Sequence, residues 1–272
     1  MSETTKKQAK VLLSKVPEVT IFFWIIKILA TTVGETFADF INETLGFGLT
    51  KTTWVMLLFL VAALFFQFRA KKYVPAIYWL VVVFISVVGT LITDTLTDGH
   101  DVSLKLTTAV FAVLLGIVFT LWYKQEGTLS IHSIDTPKRE SWYWLAILVT
   151  FSLGTAAGDL ISETFNLGYW KSILLFAGLI GLVCIGTFAF KLNRVFAFWA
   201  AYILTRPLGA SIGDFMSQDH TQDTAWGLGI GTTGTSIIFL GAIMVVVIFL
   251  TLTKRDQPAP IADPESAPPR VP

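Results

Sequence analysis

Long apolar stretches alternate with short polar segments along almost the whole of this chain. A helix that crosses a bilayer needs about 17 to 25 mostly apolar residues. Eight stretches have that length, near residues 19–41, 52–69, 74–96, 104–123, 141–163, 170–190, 195–216 and 228–252. The pattern predicts an all-α polytopic membrane protein with eight transmembrane helices, surrounded by a lipid bilayer.

Each odd-numbered stretch carries a tryptophan, a glycine ten residues later and an aspartate five residues after the glycine. The four copies are Trp24/Gly34/Asp39, Trp79/Gly89/Asp94, Trp144/Gly154/Asp159 and Trp199/Gly209/Asp214. A constant shift of 120 residues places the first two aspartates on the last two. This similarity predicts four two-helix repeats, at about residues 19–72, 73–124, 139–191 and 194–253, arranged as two pseudo-symmetric halves. Because every repeat has two spans, the repeats are expected to be parallel.

Lysine and arginine are distributed unevenly between the two sides of the predicted membrane. One side carries Lys6, Lys7, Lys10, Lys15, Arg69, Lys71, Lys72, Lys124, Lys138, Arg139, Lys191, Arg194, Lys254 and Arg255. The other side carries only Lys51, Lys105 and Lys171. Since basic loops stay on the cytoplasmic side, both termini are predicted to be cytoplasmic. The chain then divides into a cytoplasmic segment (1–18), a membrane domain (19–253) and a proline-rich tail (254–272) that is expected to be disordered.

Composition argues against several functional classes. Twenty Lys and Arg nearly balance nineteen Asp and Glu, so no nucleic-acid partner is expected. A single cysteine, Cys184, excludes an internal disulfide and a cysteine-cluster metal site. Phosphate-binding glycine loops, nucleophile elbows and zinc-ligand spacings are missing from the sequence. We therefore expect a protein that is not an enzyme and that needs no cofactor.

Small residues in the odd-numbered stretches indicate how the helices pack. Four residues after each motif glycine comes another small side chain, as in Gly154 and Gly158. Such spacing lets helix backbones approach closely in lipid. The odd helices are therefore predicted to form a tightly packed inner set, and the uncharged even helices a lipid-facing outer set. The motif tryptophans are interpreted as anchors at the membrane interface.

The motif aspartates place four carboxyl groups inside the membrane at one depth, about 22 Å along the helix from the tryptophans. Each carboxylate costs on the order of 3 kcal/mol to insert at mid-helix, so the group needs a compensating interaction. Candidate ion-binding residues are these aspartates, one nearby glutamate and two hydroxyls next to motif glycines: Asp39, Asp94, Asp159, Asp214, Glu35, Thr90 and Thr155. Hard oxygen ligands suit a proton, Na⁺, Mg²⁺, Ca²⁺ or Mn²⁺, and the four aspartates are the candidate metal ligands.

Two basic residues also lie inside apolar stretches. Lys27 and Arg206 are predicted to be buried counter-charges that tune the carboxyl groups. In a purely structural alternative, Arg206 pairs with Asp214, and Lys27 pairs with Asp39 or Glu35.

Polar residues follow each motif aspartate after four positions: Glu43, Asp98, Glu163 and Gln218. They are predicted to form an outer vestibule that attracts cations, or simply a hydrated mouth. His100 and His220 flank this side and are expected to be solvated.

A resemblance to a known family is carried by three segments: ILATTVGETFADFINETLG, FSLGTAAGDLISETFNLGYW and AAYILTRPLGASIGDFMS. The chain resembles bacterial multi-pass membrane proteins built from four tandem copies of a two-helix repeat of unknown function, each marked by a tryptophan. The resemblance covers about residues 19–253. It implies eight helices and a bacterial inner-membrane location, and says little about function.

The leading hypothesis is a secondary transporter or exporter of a small cation, a divalent metal such as Mn²⁺ or Mg²⁺, coupled to protons. One alternative is proton-coupled transport of an organic substrate. Another is a non-transporting scaffold whose buried acids form ion pairs. A channel is disfavoured, because the tryptophan half of the inner helices is bulky and shows no evident polar path.

Overall fold

The computed structural model describes residues 14–165, 167–219 and 227–257. Within these ranges the chain forms eight α-helices: α1 (Ile21–Asp39), α2 (Leu49–Arg69), α3 (Pro75–Thr97), α4 (Leu104–Glu126), α5 (Pro137–Asp159), α6 (Tyr169–Ala189), α7 (Arg194–Ser217) and α8 (Gly231–Thr253). All eight are long and apolar enough to cross a membrane. The predicted all-α architecture with eight spans is confirmed.

Helix boundaries follow from local sequence signals. Pro75 and Pro137 lie in the first turns of α3 and α5, where the missing backbone N–H is not needed. The side chains of Ser103 and Asn193 accept hydrogen bonds from backbone amides in the first turns of α4 and α7. Gly127, with φ at +70°, ends α4 in a left-handed conformation that favours glycine.

The odd and even helices differ sharply in burial. Between 61 and 72% of the most apolar stretch of α1, α3, α5 and α7 is buried, against 11 to 22% for the four even helices. The inner set therefore consists of the odd helices, as the small-residue spacing predicted. The even helices present Leu, Ile, Val and Phe side chains on an apolar outer surface that suits lipid.

The inner helices form a closed ring. Helix α1 packs against α3, α3 against α5, α5 against α7, and α7 against α1. Each outer helix packs mainly on the inner helix of the following repeat: α2 on α3, α4 on α5, α6 on α7, and α8 on α1. Every repeat thus supports its successor, and α8 closes the circle.

The motif glycines make the inner ring possible. Each one faces the residue that lies three positions before the motif glycine of the next repeat, so an added Cβ would collide there. The pairs are Gly34 with Ser86, Gly89 with Phe151, Gly154 with Arg206, and Gly209 with Thr31. The same contact recurs at all four interfaces, which gives the inner bundle approximate four-fold symmetry.

Two inner helices change geometry directly after their motif aspartates. Helix α1 continues as a π-helix over Phe40–Thr44, and α5 does so over Leu160–Thr164. Helices α3 and α7 have no such extension in the part of the chain that the structure describes. The π-helical segments recur in the first repeat of each half, in keeping with two pseudo-symmetric halves. Such segments are frequent at functional sites.

An aromatic layer closes the other end of the inner bundle. It consists of the motif tryptophans and the residues directly before them: Phe23, Trp24, Tyr78, Trp79, Tyr143, Trp144, Phe198 and Trp199. The contacts run around the ring from repeat to repeat: Phe23 to Trp79, Tyr78 to Trp144, Tyr143 to Trp199, and Phe198 to Trp24.

The interpretation of the tryptophans as interfacial anchors is wrong for three of them. Trp79, Trp144 and Trp199 are no more than 4% exposed. Their rings pack against neighbouring inner helices, because the ring of contacts buries them in the bundle. Trp24 is half-buried.

Segments beyond the first and last helices pack against the ends of the bundle. Lys15 donates a 2.7 Å hydrogen bond to Glu140, and the Gln67 amide donates to the same carboxylate. The Tyr73 hydroxyl donates a 2.5 Å hydrogen bond to Asp256. Residues 254–257, which fall in the predicted disordered tail, are thus held in place. The rest of the tail and residues 1–13 lie outside the described residues.

Candidate functional site

Three carboxyl groups meet between α1 and α7. Glu35, Asp39 and Asp214 each offer an oxygen, and these oxygens all lie within 4.8 Å of one another. Glu35 and Asp39 are one turn apart on α1, so they share a face of that helix. Gly213 allows α7 to approach this face, since a Cβ added there would lie 3.4 Å from the Cβ of Glu35.

The two remaining motif aspartates lie beside this group. Asp94 on α3 is within electrostatic range of Glu35, Asp39 and Asp159. All four aspartates are half-buried, and Glu35 is buried. We call Glu35, Asp39, Asp94, Asp159 and Asp214 the acid cluster. Asp39 and Asp214 therefore lie close together, Asp94 lies within electrostatic range of Asp39, and Asp159 lies within electrostatic range of Asp94.

Arg206 lies at the centre of the inner bundle and is fully buried. Its Nη2 carries two hydrogens, which are shared among three acceptors: Glu35 at 2.7 Å, Thr155 at 2.8 Å and, at a short distance, Thr90. Its Nη1 donates to the backbone carbonyl of Thr31 at 3.3 Å. One guanidinium from α7 therefore bonds to α1, α3 and α5.

The repeat explains why these partners converge. Glu35, Thr90 and Thr155 each follow a motif glycine directly, and repeat four has Ala210 at that position. Equivalent positions in a closed ring of parallel repeats face the same axis. Arg206 lies one turn before Ala210 in repeat four, so its side chain fills the space between Glu35, Thr90 and Thr155.

Thr90 and Thr155 thus have a role that differs from the predicted one. They were expected to offer hydroxyl oxygens to an ion together with the aspartates. In the structure their oxygens accept from Arg206, while their own hydroxyls donate to the carbonyls of Ser86 and Phe151. They hold the guanidinium in place.

Lys27 lies deeper in the bundle and is also fully buried. Its Nζ is 3.9 Å from the ring centre of Phe151 and 4.2 Å from that of Tyr202. Among the described residues, no hydrogen-bond partner is found for this atom. The predicted pairs of Lys27 with Asp39 or Glu35 are wrong. Glu35 is hydrogen-bonded to Arg206, and the lysine amine lies against aromatic rings.

The expected outer vestibule is only partly described. Glu43 and Asp98 are exposed and lie within electrostatic range of Asp39. Gln218 and His100 are exposed as well. The side chain of Glu163 and the whole of His220 lie outside the described residues.

The model of a family described as "Repeat of Unknown Function (DUF347)" matches residues 22–73, 77–128, 142–192 and 197–256. The chain belongs to the DUF347 family. No curated protein and no solved structure matches it. The tandem repeats of unknown function that the sequence resembled are therefore confirmed. Each DUF347 repeat of this chain supplies one aspartate to the acid cluster, and the first repeat also supplies Glu35.

Sequence reasoning missed the residues that surround Lys27. Aligning the DUF347 repeats on their glycines puts Tyr202 at the position of Lys27 and Phe151 at the position of Arg206. Both rings then point toward the same axis as the charged residues. The aligned repeats therefore indicate that these two rings face the axis. They do not indicate which repeats are neighbours in space, and that order decides that both rings contact Lys27.

Proposed function

We propose that this membrane protein is a secondary transporter that exchanges a small divalent cation, such as Mn²⁺ or Mg²⁺, for protons. The observation that carries the proposal is the approach of Glu35, Asp39 and Asp214, whose oxygens lie within 4.8 Å of one another. Around Mg²⁺, ligand oxygens at about 2.1 Å from the ion lie about 3 to 4.2 Å apart. Small side-chain movements would therefore suffice to form three ligands of such a site.

Charge supports exchange rather than simple binding. Arg206 bonds to Glu35 and supplies one positive charge at the edge of the site. Carboxyl groups this close together are not all ionised without compensation. Asp39 and Asp214 can hold one divalent cation or two protons with the same total charge. Alternation between these two states couples cation movement to proton movement in the opposite direction.

The chemistry of the ligands limits which cations the site would bind. The acid cluster offers carboxylate oxygens, and neither imidazole nor thiolate belongs to it. Such ligands favour hard cations over Cu⁺ or Zn²⁺. The exposed carboxylates of Glu43 and Asp98 would raise the cation concentration at the mouth of the site.

The test is a flux assay in proteoliposomes that contain the purified protein. Uptake of Mn²⁺ and Mg²⁺ is measured with and without a pH gradient, for the wild type and for Asp39→Asn and Asp214→Asn. The matched control is Asp101→Asn, which alters an exposed loop residue at positive φ, a conformation that asparagine tolerates. Gradient-dependent uptake by the wild type and the control, but not by the two cluster variants, is the expected result. Normal uptake by both cluster variants would reject the proposal.

A second candidate is a structural role without transport. It is favoured by the bonds of Arg206, which tie α7 to the other three inner helices. Under this alternative, Glu35→Gln lowers thermal stability, and the wild type moves neither cation in the flux assay. Stable Asp39→Asn and Asp214→Asn variants that lose uptake would exclude it.

A further inference from the structure

Exchange of a cation for protons requires a route for protons through the half of the bundle that the aromatic layer closes. The sequence suggested no polar path there. The structure contains a series of buried polar groups in this half, beginning with Lys27. They end near the face on which the first and last helices meet the termini.

At the end of the series nearest the acid cluster, Lys27 contacts a tyrosine. Lys27 lies against the ring of Tyr202, which is fully buried. In the described part of the chain, no hydrogen-bond partner is found for the Tyr202 hydroxyl or for the Ser86 hydroxyl. Ser86 lies at the position on α3 that is equivalent to Arg206. Buried polar groups normally have a partner, often an internal water molecule.

The middle of the series is a pair of tyrosines. The hydroxyls of Tyr78 and Tyr143 lie 2.5 Å apart in a direct hydrogen bond, and both side chains are fully buried. The Tyr202 hydroxyl is within electrostatic range of both members of the pair. Phenylalanine would fill the same space, as it does at Phe23 and Phe198 in the other two repeats. Packing alone therefore does not account for these hydroxyls.

The lower end of the series reaches the membrane face. The ring of Tyr73 packs 5.6 Å from that of Tyr78, and its hydroxyl donates a 2.5 Å hydrogen bond to Asp256. Asp256 is 1% exposed and lies between the exposed residues Arg255 and Gln257. Burial raises the pKa of the Asp256 carboxyl above its usual value, against the opposing effect of the Tyr73 hydrogen bond.

We infer that Lys27, Tyr202, Tyr143, Tyr78, Tyr73 and Asp256 form a proton path between the acid cluster and the face on which the termini lie. The inference rests on the proposed function, because it names the route of the exchanged protons. We call these six residues the hydroxyl path. Transfer between members that do not touch one another requires internal water, which buried polar groups such as the Lys27 amine and the Tyr202 hydroxyl commonly bind.

Proton transfer along the hydroxyl path needs no net chemistry. Each tyrosine accepts a proton on a lone pair of its oxygen and releases its own hydrogen to the next group, so tyrosinate does not accumulate. Lys27 exchanges a proton between its ammonium and amine forms at one end. The carboxyl of Asp256 takes up or releases the proton at the other end. Thr31 and Glu35 lie one and two turns from Lys27 on α1 and continue the line toward the acid cluster.

The deciding variant is Tyr202→Phe. It keeps the ring against Lys27 and removes a hydroxyl for which the described residues provide no partner. A tyrosine with only a packing role would lose little by this change, because the ring is kept and no hydrogen bond to a described residue is removed. A member of a proton path would lose its function. Tyr143→Phe is the second variant, and Tyr123→Phe, on the exposed side of α4, is the matched control.

Three readouts are compared for wild type and variants: Mn²⁺ binding in detergent, thermal unfolding, and the internal pH of proteoliposomes under a Mn²⁺ gradient. We expect Mn²⁺ binding and thermal stability of Tyr202→Phe to match the wild type. The Mn²⁺-driven pH change should be slowed at least about tenfold in Tyr202→Phe and Tyr143→Phe, by analogy with the loss of a proton-transfer group. Tyr123→Phe should behave as the wild type does.

The outcomes separate the two proposals. Wild-type pH changes in both path variants, together with Mn²⁺ uptake, would overturn the hydroxyl path and leave the proposed function standing. Absence of both Mn²⁺ uptake and pH change in the wild type would contradict both proposals. Loss of stability in Tyr202→Phe would show that its hydroxyl serves the fold, and would also count against the path.

Discussion

Arg206 on α7 donates a 2.7 Å hydrogen bond to Glu35 on α1, and the arginine is completely withdrawn from solvent. An isolated buried charge is unstable, so each member of this pair depends on the other. Because Thr90 and Thr155 bond to the same guanidinium, all four inner helices have a fixed position around one side chain. The pair therefore fixes α1 against α7, the two helices that carry Asp39 and Asp214.

Removal of the arginine should destabilise the bundle strongly. Arg206→Met leaves Glu35 buried without its cation, which typically costs about 3 to 5 kcal/mol. Arg206→Lys keeps the charge, but an ammonium does not reproduce the planar arrangement of donors to three helices, so part of the loss should remain. Thermal unfolding in detergent measures both effects.

Two further variants test the arginine prediction. The matched control is Arg194→Lys at the exposed start of α7, which should unfold as the wild type does. The double variant Glu35→Gln with Arg206→Met should lose less than the sum of the two single changes, since it removes both charges. Additive losses would contradict the idea that the two side chains form one unit.

The ring contacts of the glycines should be sensitive to a single methyl group. A Cβ at Gly89 would lie 2.7 Å from the Cβ of Phe151 and 3.3 Å from the backbone nitrogen of Ser152. Since the backbone cannot move aside easily, Gly89→Ala should cost about 1 to 3 kcal/mol. Gly178 on α6 has open space around it, so Gly178→Ala should be neutral or slightly stabilising. Equal thermal stability of the two variants would refute the close contact.

The overall fold was largely predictable from the sequence, and the reason is specific to membranes. Lipid requires helices with satisfied backbones, so eight apolar stretches of sufficient length indicate eight spans. The small residues four positions apart in the odd stretches then indicate that the odd helices form the inner set. Confirmation comes from the burial of α1, α3, α5 and α7 and from the collision partners of the motif glycines.

The partners of the charged residues were not predictable in the same way. Arg206 and Asp214 are eight residues apart on one helix, about 12 Å along its axis, which disfavours the pairing that the sequence suggested. The guanidinium bonds to Glu35 on α1, because α7 neighbours α1 when the ring closes. Sequence spacing gives positions along a helix, but the order of the helices around the ring decides which side chains meet.

Stability should depend on pH through Asp256 at the membrane face. Burial raises the pKa of this carboxyl in the folded protein above its value of about 3.9 in an unfolded chain. The folded state then binds more protons than the unfolded state between these two pKa values, so stability falls as the pH rises through this window. Asp256→Asn mimics the protonated carboxyl and can still accept from Tyr73. The stability of the Asp256→Asn variant should therefore fall less than that of the wild type as the pH rises.

Thermal unfolding of wild type and Asp256→Asn, recorded from about pH 4 to about pH 8, tests this expectation. The gap between the two curves should widen as the pH rises, with the asparagine variant more stable. Asp101→Asn, on an exposed loop, serves as the charge-matched control and should leave the wild-type pH profile unchanged. Parallel curves for wild type and Asp256→Asn would rule out a proton uptake at this site on folding.

Substitution of Lys27 should affect the stability and the transport activity of the protein in opposite directions. Its amine is fully buried against Phe151 and Tyr202. A desolvated cation–π contact contributes about 2 kcal/mol, whereas burying an ammonium in a low-dielectric interior costs several kcal/mol even after relaxation. Because desolvation outweighs the ring contacts, Lys27→Met should unfold at a higher temperature than the wild type. The same variant should lose proton-coupled Mn²⁺ uptake, while Lys124→Met at the exposed end of α4 should change neither property. A less stable Lys27→Met with normal uptake would assign the lysine to the fold and remove it from the hydroxyl path.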